Sequence, residues 1–373
     1  MTPLIERIQN SRNVLGFIFM LPATLLLLLF LTYPLGLGVW LGFTDTKIGR
    51  GGEWIGLENY IFLLGDSVTQ LALFNTMFYT TVASGNILRM EADGTAQQVF
   101  ANTGGRVLGF DFDAQGNLIA ADAVKGLLSI APDAKVTVLT NTVNGDPIRY
   151  ADAVVVAKNG KMYFSDASTR FAPKDWGGTF EASVLDILEQ ASTGRVLEYD
   201  PTTKATRLVA TGLSFANGVA LSGDEQSLFV NETGKYRVWK IAVNANQLDV
   251  RTLGTQAHAQ AQVLLDNLPG YPDNLMRGLD GKIWLGFAKP RNPTVDNMAG
   301  KPWLRSLTLR LPRVLWPIPK AYGHVIAFTE DGKVVADLQD PSGSYPETTA
   351  ITETKDRLYV QSLHAHGLGW LPK

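Results

Sequence analysis

The side chains able to do chemistry in this 373-residue chain are few in kind. No cysteine is present, which removes thiolate nucleophiles, disulfides and cysteine-held metals. Among the four histidines, only His364 and His366 share a useful spacing: two residues apart on a strand they face one way, as a metal pair or a general base would. Near a C-terminus the same pair reads as exposed or packed side chains, and His258 and His324 fall in a linker and an outer strand, so no histidine relay is expected. Glu232, Tyr236 and Arg237 in NETGKYRV look catalytic together, yet the spacing also pairs Glu232 with Arg237 across a turn, and structural pairing is the expectation. Asn217–Gly218 and Pro272–Asp273–Asn274 either form turns or open the apolar runs that follow them.

The elements that must position these groups begin with a repeat. A strand, a Gly or Asp turn and a second strand recur in VLGFDFDAQGNLIAADA, AVVVAKNGKMYFSDAS, NGVALSGDEQSLFVNET, DNLMRGLDGKIWLGFA and TTAITETKDRLYVQSL. A second pattern recurs in GNILRMEADGTAQQVFA, GLLSIAPDAKVTVLT, GRVLEYDPTTKATRLVA, YRVWKIAVN and GHVIAFTEDGKVVADL. Joined, they predict four-stranded blades at 106–140, 152–210, 217–266 and 273–340, a three-stranded blade at 348–373, and a hairpin at 85–102 as the outer half of a sixth. The fold class is all-β, a six-bladed β-propeller with an incomplete first blade; MFYTTVAS is the candidate for a missing inner strand.

Ahead of the repeats, Val14 to Leu41 carries no charge and exceeds the roughly 20 apolar residues that span a bilayer. It predicts one uncleaved N-terminal transmembrane helix. Residues 1–45 are then a cytoplasmic tip and anchor, 46–84 an external linker and 85–373 the propeller. Polar residues such as Asp66 and Asn75 make Ile61 to Ala83 an interfacial amphipathic helix rather than a second span. Lys plus Arg (33) nearly balance Asp plus Glu (35), which speaks against a nucleic-acid partner.

Two resemblances add to this reading. LPATLLLLLFLTYPLGLGVWLGFTD, WIGLENYIFLL and FNTMFYTTVAS resemble the start of a binding-protein-dependent sugar ABC transporter permease, which implies a cytoplasmic N-terminus and ABC transporter components as partners. The phrases GGRVLGFDFD, ADAVKGLLSI, MYFSDASTRF, GRVLEYDP, FANGVALSGDEQSLFVNETGKYRV and NLPGYPDNLMRGLDGKIW resemble the strictosidine-synthase-like proteins, related to gluconolactonases and paraoxonases. In the lactonase relatives Ca²⁺ or a similar divalent cation lies in the central channel, and the matching positions here are Asn217 and Asp273, with Asn274 beside it. Asp152 in YADAV and Asp166 in YFSD are the weaker matches, implied to orient water. The relatives' first-blade Glu has no counterpart, and the late-blade Glu of strictosidine synthase falls on Thr349, which disfavours amine–aldehyde condensation.

The resemblance implies a metal-dependent hydrolase of lactones or esters with a small-molecule substrate. It is expected in a bacterial inner membrane, anchored through residues 14–41, with the propeller facing the periplasm or exterior. The competing readings are a non-catalytic envelope propeller that binds a small molecule or protein, and an accessory component of a sugar transporter.

Overall fold

In the computed structural model the described residues are 20–21, 26, 30, 32–45, 52–65, 77–81, 84–91, 94–253, 258–365 and 367–373. Two compact units divide the chain, Met1–Asn75 and Thr76–Lys373. In the first, helices α1 (Tyr33–Leu41) and α2 (Glu58–Gly65) are joined by local ties: Asn59 Nδ2 donates to the carbonyls of Gly42 and Thr44, and Phe43 stacks on Trp54 at 5.0 Å. No side chain of α1 is buried. Half of the predicted span at 14–41 lies outside the described residues, and among those described no helix is long and apolar enough to cross a membrane. The amphipathic helix expected over 61–83 is replaced in part: α2 ends at Gly65, residues 66–76 lie outside the description, and Met77–Thr81 is a strand. Alternating β-branched and aromatic residues favour the pleated form there.

The second unit is a six-bladed β-propeller. Its sheets are β1–β3 (Met77–Thr81, Asn86–Glu91, Gln98–Asn102) and β4–β7 (Val107–Phe112, Leu118–Asp122, Gly126–Ile130, Val136–Thr140). After the hairpin β8–β9 (Thr142–Val143, Asp146–Pro147) comes β10–β13 (Ala151–Val156, Met162–Asp166, Gly194–Asp200, Ala205–Leu213). The next sheet is β14, β15, β16 and β18 (Ala216–Leu221, Ser227–Glu232, Arg237–Ala242, Ala261–Leu265), with the short β17 (Leu248–Asp249) lying parallel to β13. The last two are β19–β22 (Gly270–Arg277, Ile283–Pro290, Gly323–Phe328, Val334–Asp340) and β23–β25 (Thr348–Glu353, Arg357–Ser362, Gly369–Pro372). MFYTTVAS does supply a strand, since β1 pairs antiparallel with β2 along its length. Apolar clusters between neighbouring sheets form the core; Ile119, Phe164 and Leu197, all fully buried, belong to one of them.

Three helices interrupt the blades: α3 (Thr179–Glu189) between β11 and β12, and α4 (Pro293–Asn297) and α5 (Pro302–Leu309) between β20 and β21. The strand repeat gives no hint of them. Gly218 lies inside β14 rather than at a turn, and the reason it is glycine is a close approach. A Cβ there would stand 2.4 Å from the backbone nitrogen of Leu275 and 2.6 Å from the carbonyl oxygen of Asp273, both on the neighbouring inner strand β19. Gly218→Ala is therefore expected to lose about 1–3 kcal/mol, the usual cost of overpacking. Gly367→Ala, with open space around it, should change stability by less than about 0.5 kcal/mol in the same denaturant titration.

Candidate functional site

Three inner strands begin with the same local device. The last residue of the second strand in three blades is a buried carboxylate that takes the backbone N–H groups leading into the first strand. Asp122 accepts from Arg106 N at 3.1 Å, Asp166 from Tyr150 N at 2.8 Å, and Glu232 from Ser214 N at 2.9 Å. In the last blade Ser362 lies opposite Thr348 and donates its hydroxyl to the Pro346 carbonyl at 2.5 Å. One or two residues further on, the pairing of the inner strands β4, β10, β14, β19 and β23 shifts register: after Val107, Ala151, Ala216, Pro272 and Thr348. Such irregularities turn a side chain out of the pleat. The residues at those points are Leu108, Asp152, Asn217, Asp273 and Thr349, and the first four line one cavity of about 260 Å³.

The floor of this cavity is charged and poorly solvated. Asn217 Nδ2 donates to Asp273 Oδ1 at 2.8 Å, while Asn217 Oδ1 is buried with no hydrogen-bond partner. Burial pushes the Asp273 carboxyl up to about 7, Glu347 adds repulsion, and the Asn217 amide pulls the other way. Asp152 is raised well above the usual carboxylate range, first by burial and then by Asp273, against the Arg106 guanidinium. Two buried carboxyls thus share one small space. Tyr150, beside them, is raised as well, mainly by burial, and donates its hydroxyl to the Thr179 carbonyl at 2.8 Å, which anchors the start of α3. The upper walls are apolar, from Phe180, Val184 and Ile187 of α3 together with Phe215, Trp316 and Ile318.

At the rim, Glu347 is bonded by Lys289 Nζ on one oxygen and by His364 Nδ1 on the other, and all three line the cavity. Glu347 is buried and its φ is +53°, a left-handed conformation that costs a non-glycine residue energy and recurs at functional sites. Sequence reading passed over Glu347 and set His364 aside; a contact made by the turn before β23 leaves no mark in residue spacing. His366 lies outside the described residues.

The structure brings Asp152, Asn217, Asp273 and Asn274 to one cavity. Asp166 is elsewhere occupied: fully buried, it accepts from Arg149 N, Tyr150 N and Arg195 Nε (2.8 Å), and it is not among the cavity-lining residues. Its carboxylate braces the blade, so orienting water is not open to it. Glu232 pairs with Arg237 at 2.6 Å and with Trp239 Nε1 at 2.7 Å, as the turn reading expected. Among the described residues no group of three or more His, Asp or Glu side chains could hold a metal. The oxygen set at the floor, two carboxylates and one unpartnered amide oxygen, nonetheless has the hard-donor chemistry of a Ca²⁺-type cation, with remaining positions left to water or substrate.

Fold and floor together define a β-propeller with an oxygen-lined central cavity. A strictosidine synthase family profile matches residues 152–246. Strictosidine synthase-like 6 of Arabidopsis thaliana is 32% identical over 340 residues, covering 86% of each chain, and strictosidine synthase-like 13 of the same plant is 35% identical over 246 residues. The latter match takes in 64% of this chain and 57% of the relative's length. The chain belongs to the strictosidine-synthase-like family. Among solved structures, a gluconolactonase of Xanthomonas campestris superposes with a TM-score of 0.53 at 18% identity, covering 79% of this chain and 82% of that one. A calcium-binding protein, regucalcin, of Agrobacterium tumefaciens gives 0.50 at 13% identity, covering 78% and 79%. At these identities the likeness is one of fold.

The raised carboxyl of Asp273 ties stability to pH with a definite sign. Its folded pKa of about 7 exceeds the unfolded value of about 4, so the folded state holds the proton more tightly. The contribution is favourable at low pH and is lost as pH rises between about 4 and 7. In metal-free buffer, wild type is expected to lose more melting temperature over that interval than Asp273→Asn, compared by thermal unfolding.

Proposed function

We propose that the chain is a cation-assisted hydrolase of lactones or esters. The observation that carries this reading is the unpartnered Oδ1 of Asn217 beside the crowded carboxyls of Asp152 and Asp273. Those three side chains would hold the cation, with Asn274 beside them. A bound divalent cation polarises a carbonyl and makes water more acidic. His364, oriented by Glu347 through Nδ1, offers Nε2 as the proton acceptor. Water oxygen adds to the carbonyl carbon as its proton passes to His364. When the carbon–oxygen bond breaks, His364 returns that proton to the leaving alkoxide. The apolar walls favour substrates with a hydrophobic acyl or aromatic part, and the gluconolactonase and calcium-binding neighbours of the fold agree with the chemistry.

A second reading rests on Leu108, which occupies in β4 the position that Asp152, Asn217 and Asp273 hold in theirs. An apolar residue there suits a propeller that binds an apolar ligand without turning it over. Attachment to an inner membrane through residues 14–41, with the propeller outside, is part of the same proposal, supported by the apolar α1, none of whose side chains is buried; so is assembly with transporter components through that segment.

A screen of lactones and aryl esters with the full chain separates the two. Chelator-sensitive turnover is expected, with His364→Ala lowering kcat by about 10²–10⁴ while leaving cation binding intact. Cation binding without turnover of any substrate would favour the second reading, and chelator-insensitive turnover would remove the cation from the first.

A further inference from the structure

We propose that segment 301–320 is a docking element for a bilayer surface rich in anionic lipid, and that it presents the mouth of the cavity to that surface. The inner face of α5 is packed: Leu304 and Leu309 lie on Val295, Met298 and Leu188, and the buried Arg305 donates Nε to the Met298 carbonyl at 2.9 Å. The outer face is not. Trp303 is 69% exposed and Leu307, one turn on, 50%; Leu311 follows, then Val314 at 88% and Leu315 at 59%. A contiguous run of large apolar side chains facing water marks an interaction site.

The charges identify the partner. Lys301, Arg310, Arg313 and Lys320 fall in this segment besides the buried Arg305, and no Asp or Glu occurs between Ala299 and Tyr322. Tryptophan and leucine on one side with basic residues around them are the composition of helices that lie in the headgroup region of anionic membranes. A second copy of this chain is a poorer partner, because two-fold pairing of the patch would bring together two basic segments with no acid in either. The same segment reaches the site: Trp316 and Ile318 line the cavity, and Asn292 Nδ2 fastens the Pro317 carbonyl at 2.8 Å. Docking through Trp303 and Val314 would therefore place the cavity mouth beside the lipid, where an apolar substrate partitions. The inference stands whether or not the site turns its ligand over.

The absence of cysteine makes the test a single-site one. Full-length Val314→Cys and, as a control on the outer strand β7, Val138→Cys are labelled with an environment-sensitive fluorophore and mixed with vesicles of phosphatidylcholine, with and without phosphatidylglycerol. The expected result is a blue-shifted, brighter emission at position 314 only, on phosphatidylglycerol vesicles only, reversed by high salt. Arg310→Gln should lower the inserted fraction about five-fold. Aqueous emission at 314 while the chain co-sediments with vesicles would overturn the proposal, as would an equal shift at 138. A shift that needs no lipid and grows with protein concentration would overturn it in favour of a second copy.

Discussion

The structure depends on buried carboxylates that hold backbone, not substrate. Asp122, Asp166 and Glu232 each take an N–H from the chain just ahead of an inner strand, so that the strand begins at a fixed height. Hydrogen bonds of this charge-assisted kind are stronger than neutral ones and cannot be lost cheaply once buried. With β10 and β14 pinned in this way, the register shifts that follow aim Asp152 and Asn217 at one space, and a shift in β19 brings Asp273 there from a third blade. The site is thus a by-product of how the blades are fastened, repeated with different side chains.

Two kinds of acid in one molecule illustrate how environment decides role. Asp166 lies opposite Arg195 and two N–H donors, which oppose, without cancelling, the upward push that burial gives its carboxyl. Asp273 has a single amide donor and repulsion from Glu347, and Asp152 has Arg106 against both burial and Asp273. The first carboxyl is held by a guanidinium and two N–H groups; the second pair is short of positive charge. A cation would supply what the second lacks, and Asn217 Oδ1 is the neutral oxygen left over to receive it.

Much of the fold was legible because propeller strands repeat. The turn-separated alternation located the blades to within a few residues, including the incomplete first and last sheets, and MFYTTVAS showed its strand through alternation alone. The helices at 179–189 and 302–309 were not legible, because insertions obey no repeat. Asp152, Asn217 and Asp273 were picked out by likeness to relatives, and the structure gathers them. Asp166 was picked out with them because a strand-end aspartate looks the same in sequence whether it faces a channel or a backbone N–H. Glu347 and His364 were missed as a pair because they meet only through the left-handed turn before β23 and the loop after β24.

The most direct test is calorimetric titration of Ca²⁺ into the full-length chain in two buffers of different ionisation enthalpy. Because a metal ligand must be deprotonated to bind, a floor of raised carboxyls should release protons as the cation enters. Saturable binding with proton release near neutral pH, lost in Asp273→Asn and weakened in Asn217→Ala, is the expected result. Binding that Asp273→Asn leaves unchanged, or no binding to a folded chain, would contradict the assignment of this floor as a cation site.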